Sequence, residues 1–324
     1  MNYSLSNMLG RSSVGSAPVI SGTAFPGETL TSTKTGQWYA DGNAISGQTG
    51  STYVVRLSDI GKVITQTGSN ALTIWHPDDI AGVVRFWSSL SNVLTSISPD
   101  VPAANGDSVR RWSGIISGTQ TDQATSINRP IYRSTGQSGN PSLELDGSND
   151  TIGAGSSDLL RNATLGYLFV GCRDITPTAG LTNHVAVTVE NGAAGARINI
   201  ATRNASNQFV AASQRIDGGA TTTVAGGANN SNYNVHTAEC FWASNIFNYR
   251  INGSQVGTSN FGGGGNSSNS NSNGVNIGSS TGLFNFFPGH ITVVCVANAS
   301  LTATQRSQLE RYIGLFGNLN IPLV

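Results

Sequence analysis

Short β-prone runs separated by glycine-containing turns recur along the chain, and this punctuation limits what it can fold into. From residue 18 to about residue 75, about six such runs follow one another. Thr29, Thr31 and Thr33 alternate with Leu30 and Ser32, the period of a strand with two different faces. In WYADGNAIS, Asp41-Gly42 is a strong hairpin signal between two apolar runs. Tyr53 and Val55 share a face, and Trp38 is placed to fill a small core. Strands this short, at this spacing, predict a small β-sandwich over 17–75. With 40 glycines and only 10% charged residues, the composition favours strands and turns over long helices. At 38% hydrophobic it is not that of a disordered chain.

The same numbers exclude function classes. The formal net charge is zero and there are only two lysines, Lys34 and Lys62. Nucleic-acid binding needs a basic stripe, so no nucleic-acid partner is expected. No run of about 18 apolar residues occurs, so no membrane insertion is expected. The start, MNYSLSNMLGRSSVGS, lacks a basic segment followed by an apolar core; residues 1–16 read as a flexible polar arm without a secretion signal. Cys172, Cys240 and Cys295 each lie in an apolar run, without CxxC spacing, and are expected buried and free; a Cys240–Cys295 bridge is the alternative. His76, His184, His236 and His290 are far apart and flank strands, which argues against a metal centre. GGGGN at 262–266 runs into Ser/Asn repeats rather than a helix, so it cradles no phosphate.

ALTIWHPDDIAGVVRFW, residues 71–87, marks a junction near residue 76, with a second domain over 76–324. That block is again strand-rich and ends in one amphipathic helix within LTATQRSQLERYIGLFG. Leu309, Tyr312, Ile313 and Phe316 fall on one face. Thr302 and Gln305 fit a capping box, and Gly317 fits the stop. Residues 260–274, NFGGGGNSSNSNSNG, read as a long flexible loop, either plain solvated chain or a contact tip.

Two resemblances sharpen the fold class. The first block resembles the immunoglobulin-like modules of bacterial surface and phage structural proteins. The match is carried by Pro18, Gly22, Gly27 and Leu30, by Trp38, Asp41, Gly42, Ile45 and Gly47 (G-x-W-x-x-D-G-x-x-I-x-G), and by Tyr53, Asp59, Ile60, Gly61 and Ile64. The second block resembles the concanavalin A-like lectin/glucanase superfamily, in particular its laminin-G-like jelly rolls. Its signals run in order: IAGVVRFW, VRRW, NRPIY, PSLELDGSNDTI, YLFVGCRD, HTAECFWAS, YRINGSQVG, VNIGSS, FFPGHITVVCVAN and the terminal helix. The expected fold is therefore all-β, an Ig-like sandwich followed by a concanavalin A-like jelly roll with one C-terminal helix.

Glu144 and Asp146 stand two apart on one strand, so both carboxylates face the same way. Cleaving members of the superfamily carry E-x-D-x-E or E-x-D-x-x-E. Here the third acid falls on Ser148 or Asn149, neither of which can act as a general acid. No catalytic residue is assigned and the chain is expected to be a non-enzyme. Asp146, Asn149 and Asp150 are the candidate calcium ligands, since relatives often bind calcium; three oxygens are few, and a hydrogen-bonded turn is the favoured reading. No other cofactor is expected. Candidate sugar contacts are Trp242, Tyr233, Asn232 and Phe261, an aromatic and amide set of the kind lectin sites use.

An Ig-like module joined to a lectin-like one, without a signal peptide or a disulfide framework, fits a bacteriophage virion. The expected role is a non-enzymatic surface protein, a head decoration or a tail or fibre component. Its partners would be other virion proteins and cell-surface glycans. A homo-oligomer fits that role, although no heptad segment enforces one. A purely structural capsid cement is the alternative, followed by a polysaccharide depolymerase and a bacterial adhesin.

Overall fold

The computed structural model describes residues 16–116, 120–154, 159–176, 183–191, 195–269, 274–280 and 284–324. The arm expected at 1–16 lies outside the described residues except for Ser16. The protein is all-β, with several antiparallel sheets and a single C-terminal helix among the described residues. It divides into two compact units, Met1–His76 and Pro77–Val324.

The smaller unit contains a three-stranded sheet (Ile20–Ser21, Thr29–Ser32, Thr52–Val54) and a four-stranded sheet (Asn43–Ala44, Trp38–Ala40, Val63–Gln66, Leu72–Thr73). Leu30, Trp38, Tyr53, Ile64 and Ile74 share its core. Trp38 is fully buried, stacks on Tyr53 at 5.6 Å and donates from Nε1 to the Gly50 carbonyl at 2.9 Å. Asp41 and Gly42 take φ of 49° and 77°, the left-handed pair that a tight two-residue hairpin turn requires.

The larger unit is built from two sheets packed face to face. One has ten strands, in the order Asp100–Pro102, Val93–Ile97, Arg111–Ser113, Gln120–Asp122, Ile152–Ala154, Val275–Ile277, His184–Asn191, Gly195–Arg203, Gln208–Ser213 and Thr222–Ala228. The other runs Ile131–Gln137, Asn140–Asp146, Pro288–Ala297, Gly166–Asp174, Asn234–Phe241, Ile246–Ile251 and Ser254–Ser259, and Val83–Ser88 also pairs with Pro288–Ala297. Alternation assigns the faces. Leu168, Val170 and Cys172 of one sheet meet the same core as Ile198, Ile200 and Val187 of the other. Leu143 and Leu145 point into this core, as their alternation with Glu144 requires. All three cysteines are buried and free, and burial raises each thiol pKa. His236 and His290 lie within strands rather than beside them. His236 is fully buried against Tyr249, and burial pulls its pKa down to about 3, so it is a neutral core residue.

The helix Ala303–Leu315 lies on the outer face of the eight-stranded sheet, with Leu309, Tyr312, Ile313 and Phe316 buried. Thr302 Oγ1 accepts from the Gln305 N–H at 3.1 Å, and Gln305 Oε1 accepts from the Thr302 N–H at 2.9 Å, closing the expected capping box. The stop differs from expectation. Asn318, at φ 58°, is the left-handed residue, with Leu319 N–H on Gly314 O (3.0 Å) and Asn318 N–H on Leu315 O (3.2 Å). Gly317 has another reason to be glycine, because a Cβ there would meet the Tyr233 ring at 2.0 Å. Buried Glu310 also sits on the packed face, where Arg250 Nε and Thr237 Oγ1 donate to its Oε1 at 3.0 and 2.9 Å.

Candidate functional site

The strands Gly195–Arg203, Gln208–Ser213 and Thr222–Ala228 bury Ile198, Ile200, Phe209, Ala211 and Val224 in the core. Their alternate residues face outward. Register aligns Val185, Ala201, Val210 and Ala225 in one row across four strands, and Asn199, Ala212 and Thr223 in the next. Outward positions on a half-solvated sheet are usually large and polar; here most are alanine, valine or a short polar residue. The result is a groove of about 300 Å³ on the outer face of the ten-stranded sheet, completed at its rim by Asn183, Asn204, Ser280 and Asn285.

Among the described residues, no Asp, Glu, Lys, Arg or His lines this groove. Its polar groups are carboxamides and hydroxyls, each able to donate and accept. Asn204 is fixed, its Oδ1 taking the N–H groups of Ser206 and Gln208, each at 2.9 Å. Asn285 Nδ2 reaches Ser280 Oγ at 3.5 Å, and Ser280 Oγ donates to Phe284 O at 2.7 Å. Asn199, Asn183 and Thr223 make no side-chain hydrogen bond among the described residues, so they are free to meet a ligand. An apolar alanine–valine strip edged by amides matches the two faces of a neutral sugar ring, C–H on one and hydroxyl on the edge.

The residues singled out from sequence lie elsewhere. Trp242 is fully buried in the core, its Nε1 3.4 Å from Ser213 Oγ, and so cannot offer a stacking face. Phe261 is half-buried against Phe247, with ring centroids 5.7 Å apart. Tyr233 is buried beneath the helix, bridging Thr292 Oγ1 (2.6 Å) and Ile313 O (2.8 Å). Its neighbour Asn232 is exposed, and the two line a separate cleft near the helix C-terminus. The described part of the 260–274 loop is stitched down. Ser267 is buried, donates to Leu160 O at 2.6 Å and accepts from the Ala163 N–H at 2.9 Å; residues 270–273 lie outside the described residues.

The Asp146–Asp150 turn is satisfied by its own backbone. Asp146 Oδ1 accepts from the N–H groups of Ser148 (2.8 Å), Asn149 (3.2 Å) and Asp150 (3.3 Å), and Asp150 Oδ2 accepts from the Asp146 N–H (3.0 Å). This is the hydrogen-bonded turn. No cluster of three or more His, Cys, Asp or Glu side chains suited to a metal ion is found among the described residues. Burial, then the neighbouring Asp146, raises the Asp150 carboxyl to about 6. Glu144 shares the outward face with Asp146 and is ion-paired to Arg133. A further buried acid, Asp174, accepts from His184 Nδ1 (2.8 Å), Thr202 Oγ1 (2.8 Å) and Asn229 Nδ2 (2.9 Å), tying strand ends of the two sheets together. Burial pushes its carboxyl up, but these bonds and the Thr176 N–H outweigh it and leave the pKa below the usual value.

The groove lies outside the sequence candidates because its lining holds no aromatic residue among the described residues. The available signal was the outward alternation of small residues in RINIATR, QFVAAS and TTVAGGA.

No family model matches the chain, and no curated protein matches it. Among solved structures, the chain is similar to the binding domain of Paraclostridial Mosquitocidal Protein 1, at 11% identity and a TM-score of 0.49 over 75% of this chain and 54% of that one. It is similar to a Trypanosoma rangeli sialidase in complex with 2,3-difluorosialic acid, at 13% identity and a TM-score of 0.48 over 74% of this chain and 34% of that one. It is also similar to the Ruminococcus gnavus IT-sialidase CBM40 bound to alpha2,3 sialyllactose, at 13% identity and a TM-score of 0.39 over 54% of this chain and 96% of that one. The chain thus spans about half of the first of these and a third of the second. These likenesses are distant, and the functional reading rests on the groove.

Proposed function

We propose that the larger unit is a non-enzymatic, lectin-like module that attaches to neutral glycans through the groove on its ten-stranded sheet. The observation that carries this reading is the uncharged lining, with free amides and hydroxyls beside an alanine–valine floor. A sugar ring would lie on Ala201, Ala212 and Val210 and exchange hydrogen bonds with Asn199, Asn183 and Thr223. With no aromatic platform, affinity at one site would be weak, of order millimolar, or about 4 kcal/mol. Useful attachment would then come from many copies acting together.

The setting we favour is the surface of a bacteriophage virion, as a head decoration or a tail or fibre component. It draws on the resemblance of the two sequence blocks to Ig-like and lectin-like modules, and on three buried cysteines without a disulfide. Ala212→Leu fills the floor and Asn199→Ala removes a free amide; both are outward-facing, so folding should be preserved. On a glycan array probed with multimerised protein, both variants should lose at least tenfold in signal at unchanged melting temperature. Full retention of signal in both would refute the site. Absence of any glycan signal from the parent protein would favour a capsid cement. Gold-labelled antibody on purified particles tests the setting, and label confined to a cell envelope would contradict it.

A further inference from the structure

A second site of different chemistry lies on the opposite sheet. The cleft holding Asn232 and Tyr233 has a volume of about 440 Å³ and opens beside Gly317 and Leu319, just past the helix. Its charge is unbalanced. Among the described residues, Arg173 is the only charged one lining it, and no carboxylate lines it. Elsewhere in this unit Arg111 is paired with Asp122, Arg197 with Asp217, Arg250 with Glu310 and Arg306 with Glu239, while Arg85, Arg129 and Arg215 donate to backbone carbonyls. Arg173 makes no ion pair and no side-chain hydrogen bond among the described residues, and its Nε is shielded from water without a partner.

The surroundings do not neutralise it. In the outward row across three strands, Arg173 stands beside His290, and His290 beside Glu144. Glu144 is therefore two strands away, roughly 10 Å by backbone spacing, and is already held by Arg133. The helix carbonyls that end at the cleft are also occupied. Gly314 O takes Leu319 N–H, Leu315 O takes Asn318 N–H, Phe316 O takes Asn140 Nδ2 and Ile313 O takes Tyr233 Oη. The neighbouring Asp174 turns its carboxylate to the other side of the strand, onto His184 and Thr202.

Gln137 lines the same cleft. It is 97% buried, its Nε2 donates to Ser138 Oγ at 3.0 Å, and its Oε1 has no partner among the described residues. The opposite wall is rigid. Asn234 Nδ2 donates to Asn230 Oδ1 (3.1 Å) and Asn232 O (3.0 Å), and Asn252 Nδ2 donates to Asn234 Oδ1 (2.9 Å). That ladder leaves the exposed Asn232 amide without a side-chain partner among the described residues. A half-buried guanidinium without a counter-charge is costly, and its planar fork fits a carboxylate in two parallel hydrogen bonds. One cation matches a monoanion, and the surrounding amides, serine hydroxyls and the unpartnered Gln137 acceptor match hydroxyl groups.

We infer that this cleft binds a carboxylated sugar, with Arg173 on the carboxylate and Asn232 and Gln137 on ring hydroxyls. This site is independent of the neutral groove, so either can fail without the other. The test is isothermal titration of the full chain with D-glucuronate, D-glucose and inorganic phosphate. Glucuronate should bind at least tenfold more tightly than glucose. Arg173→Gln should weaken it at least tenfold, Asn232→Ala severalfold, and Ala212→Leu in the groove not at all. Asn232→Ala lies on an exposed loop and keeps the test valid should Arg173→Gln fail to fold. Equal binding of glucuronate and glucose, indifference to both cleft variants, or tighter binding of phosphate than of glucuronate would each overturn the inference.

Discussion

Gly171 faces the helix without a side chain between them, and adding one methyl group there should separate helix from sheet. A Cβ at Gly171 would sit 2.1 Å from Tyr233 Oη, 2.4 Å from Ile313 Cγ2 and 2.8 Å from Thr292 Oγ1. The first two distances are far inside van der Waals contact, and Tyr233, fixed by bonds to Thr292 Oγ1 and Ile313 O, cannot swing away. Gly171→Ala must therefore displace the helix or break both Tyr233 bonds. Overpacking of a close-packed site costs about 1–3 kcal/mol. Stranding buried hydrogen-bonding groups costs about 1–3 kcal/mol more. The expected loss is about 2–6 kcal/mol. Tyr233→Phe removes the hydroxyl without adding bulk and should cost only about 1–3 kcal/mol. Urea unfolding gives the free energies, and hydrogen exchange read at the amides of Ala303–Leu315 localises them. Both variants should expose those amides, Gly171→Ala the more. A Gly171→Ala protein within about 0.5 kcal/mol of the parent, with helix protection unchanged, would refute the packing argument.

Two further variants test local energetics. In the folded state Asp150 ionises at about 6 rather than 3.8, so its charge costs about 3 kcal/mol more than in the unfolded chain. Its neutral form stabilises the fold below about pH 4, and that contribution is lost as pH rises to about 6. Asp150→Asn keeps an oxygen for the Asp146 N–H, so it should be more stable than the parent at pH 7.5 by up to about 3 kcal/mol and equal to it at pH 3.5; urea midpoints at the two pH values check this, and an equal difference at both would contradict it. Thr302→Ala opens the capping box and should cost about 1 kcal/mol, with hydrogen exchange accelerated in the first helical turn. Unchanged exchange there would contradict the cap.

Local chemistry was legible in the sequence where one physical cause acts alone. The Asp41-Gly42 turn, the Thr302–Gln305 cap, the inward Leu143 and Leu145 and the buried cysteines each follow from backbone geometry or alternation. The helix stop was misread because Gly317 invites a conformational explanation, whereas its absent side chain makes room for Tyr233. The aromatic candidates sit differently from a sugar platform for a related reason. Trp242 and Tyr233 have the right chemistry for sugar stacking, but both are buried, and only tertiary packing decides which face of a strand or loop an aromatic residue occupies. The groove is a property of register. Asn199, Ala212 and Thr223 lie far apart in sequence and become one row only when three strands are aligned. Arg173 is similar, since its lack of a partner among the described residues depends on where every nearby carboxylate ends up.

The most direct test of the central claim is a nuclear magnetic resonance titration of the isotope-labelled full chain with neutral sugars: D-glucose, D-galactose and N-acetyl-D-glucosamine, up to tens of millimolar. At least one should shift amides in Asn199–Ala201, Val210–Ala212 and Thr223–Ala225, and Ala212→Leu should abolish those shifts. Shifts mapping elsewhere, or none with any of the three sugars, would contradict neutral-glycan binding in the groove.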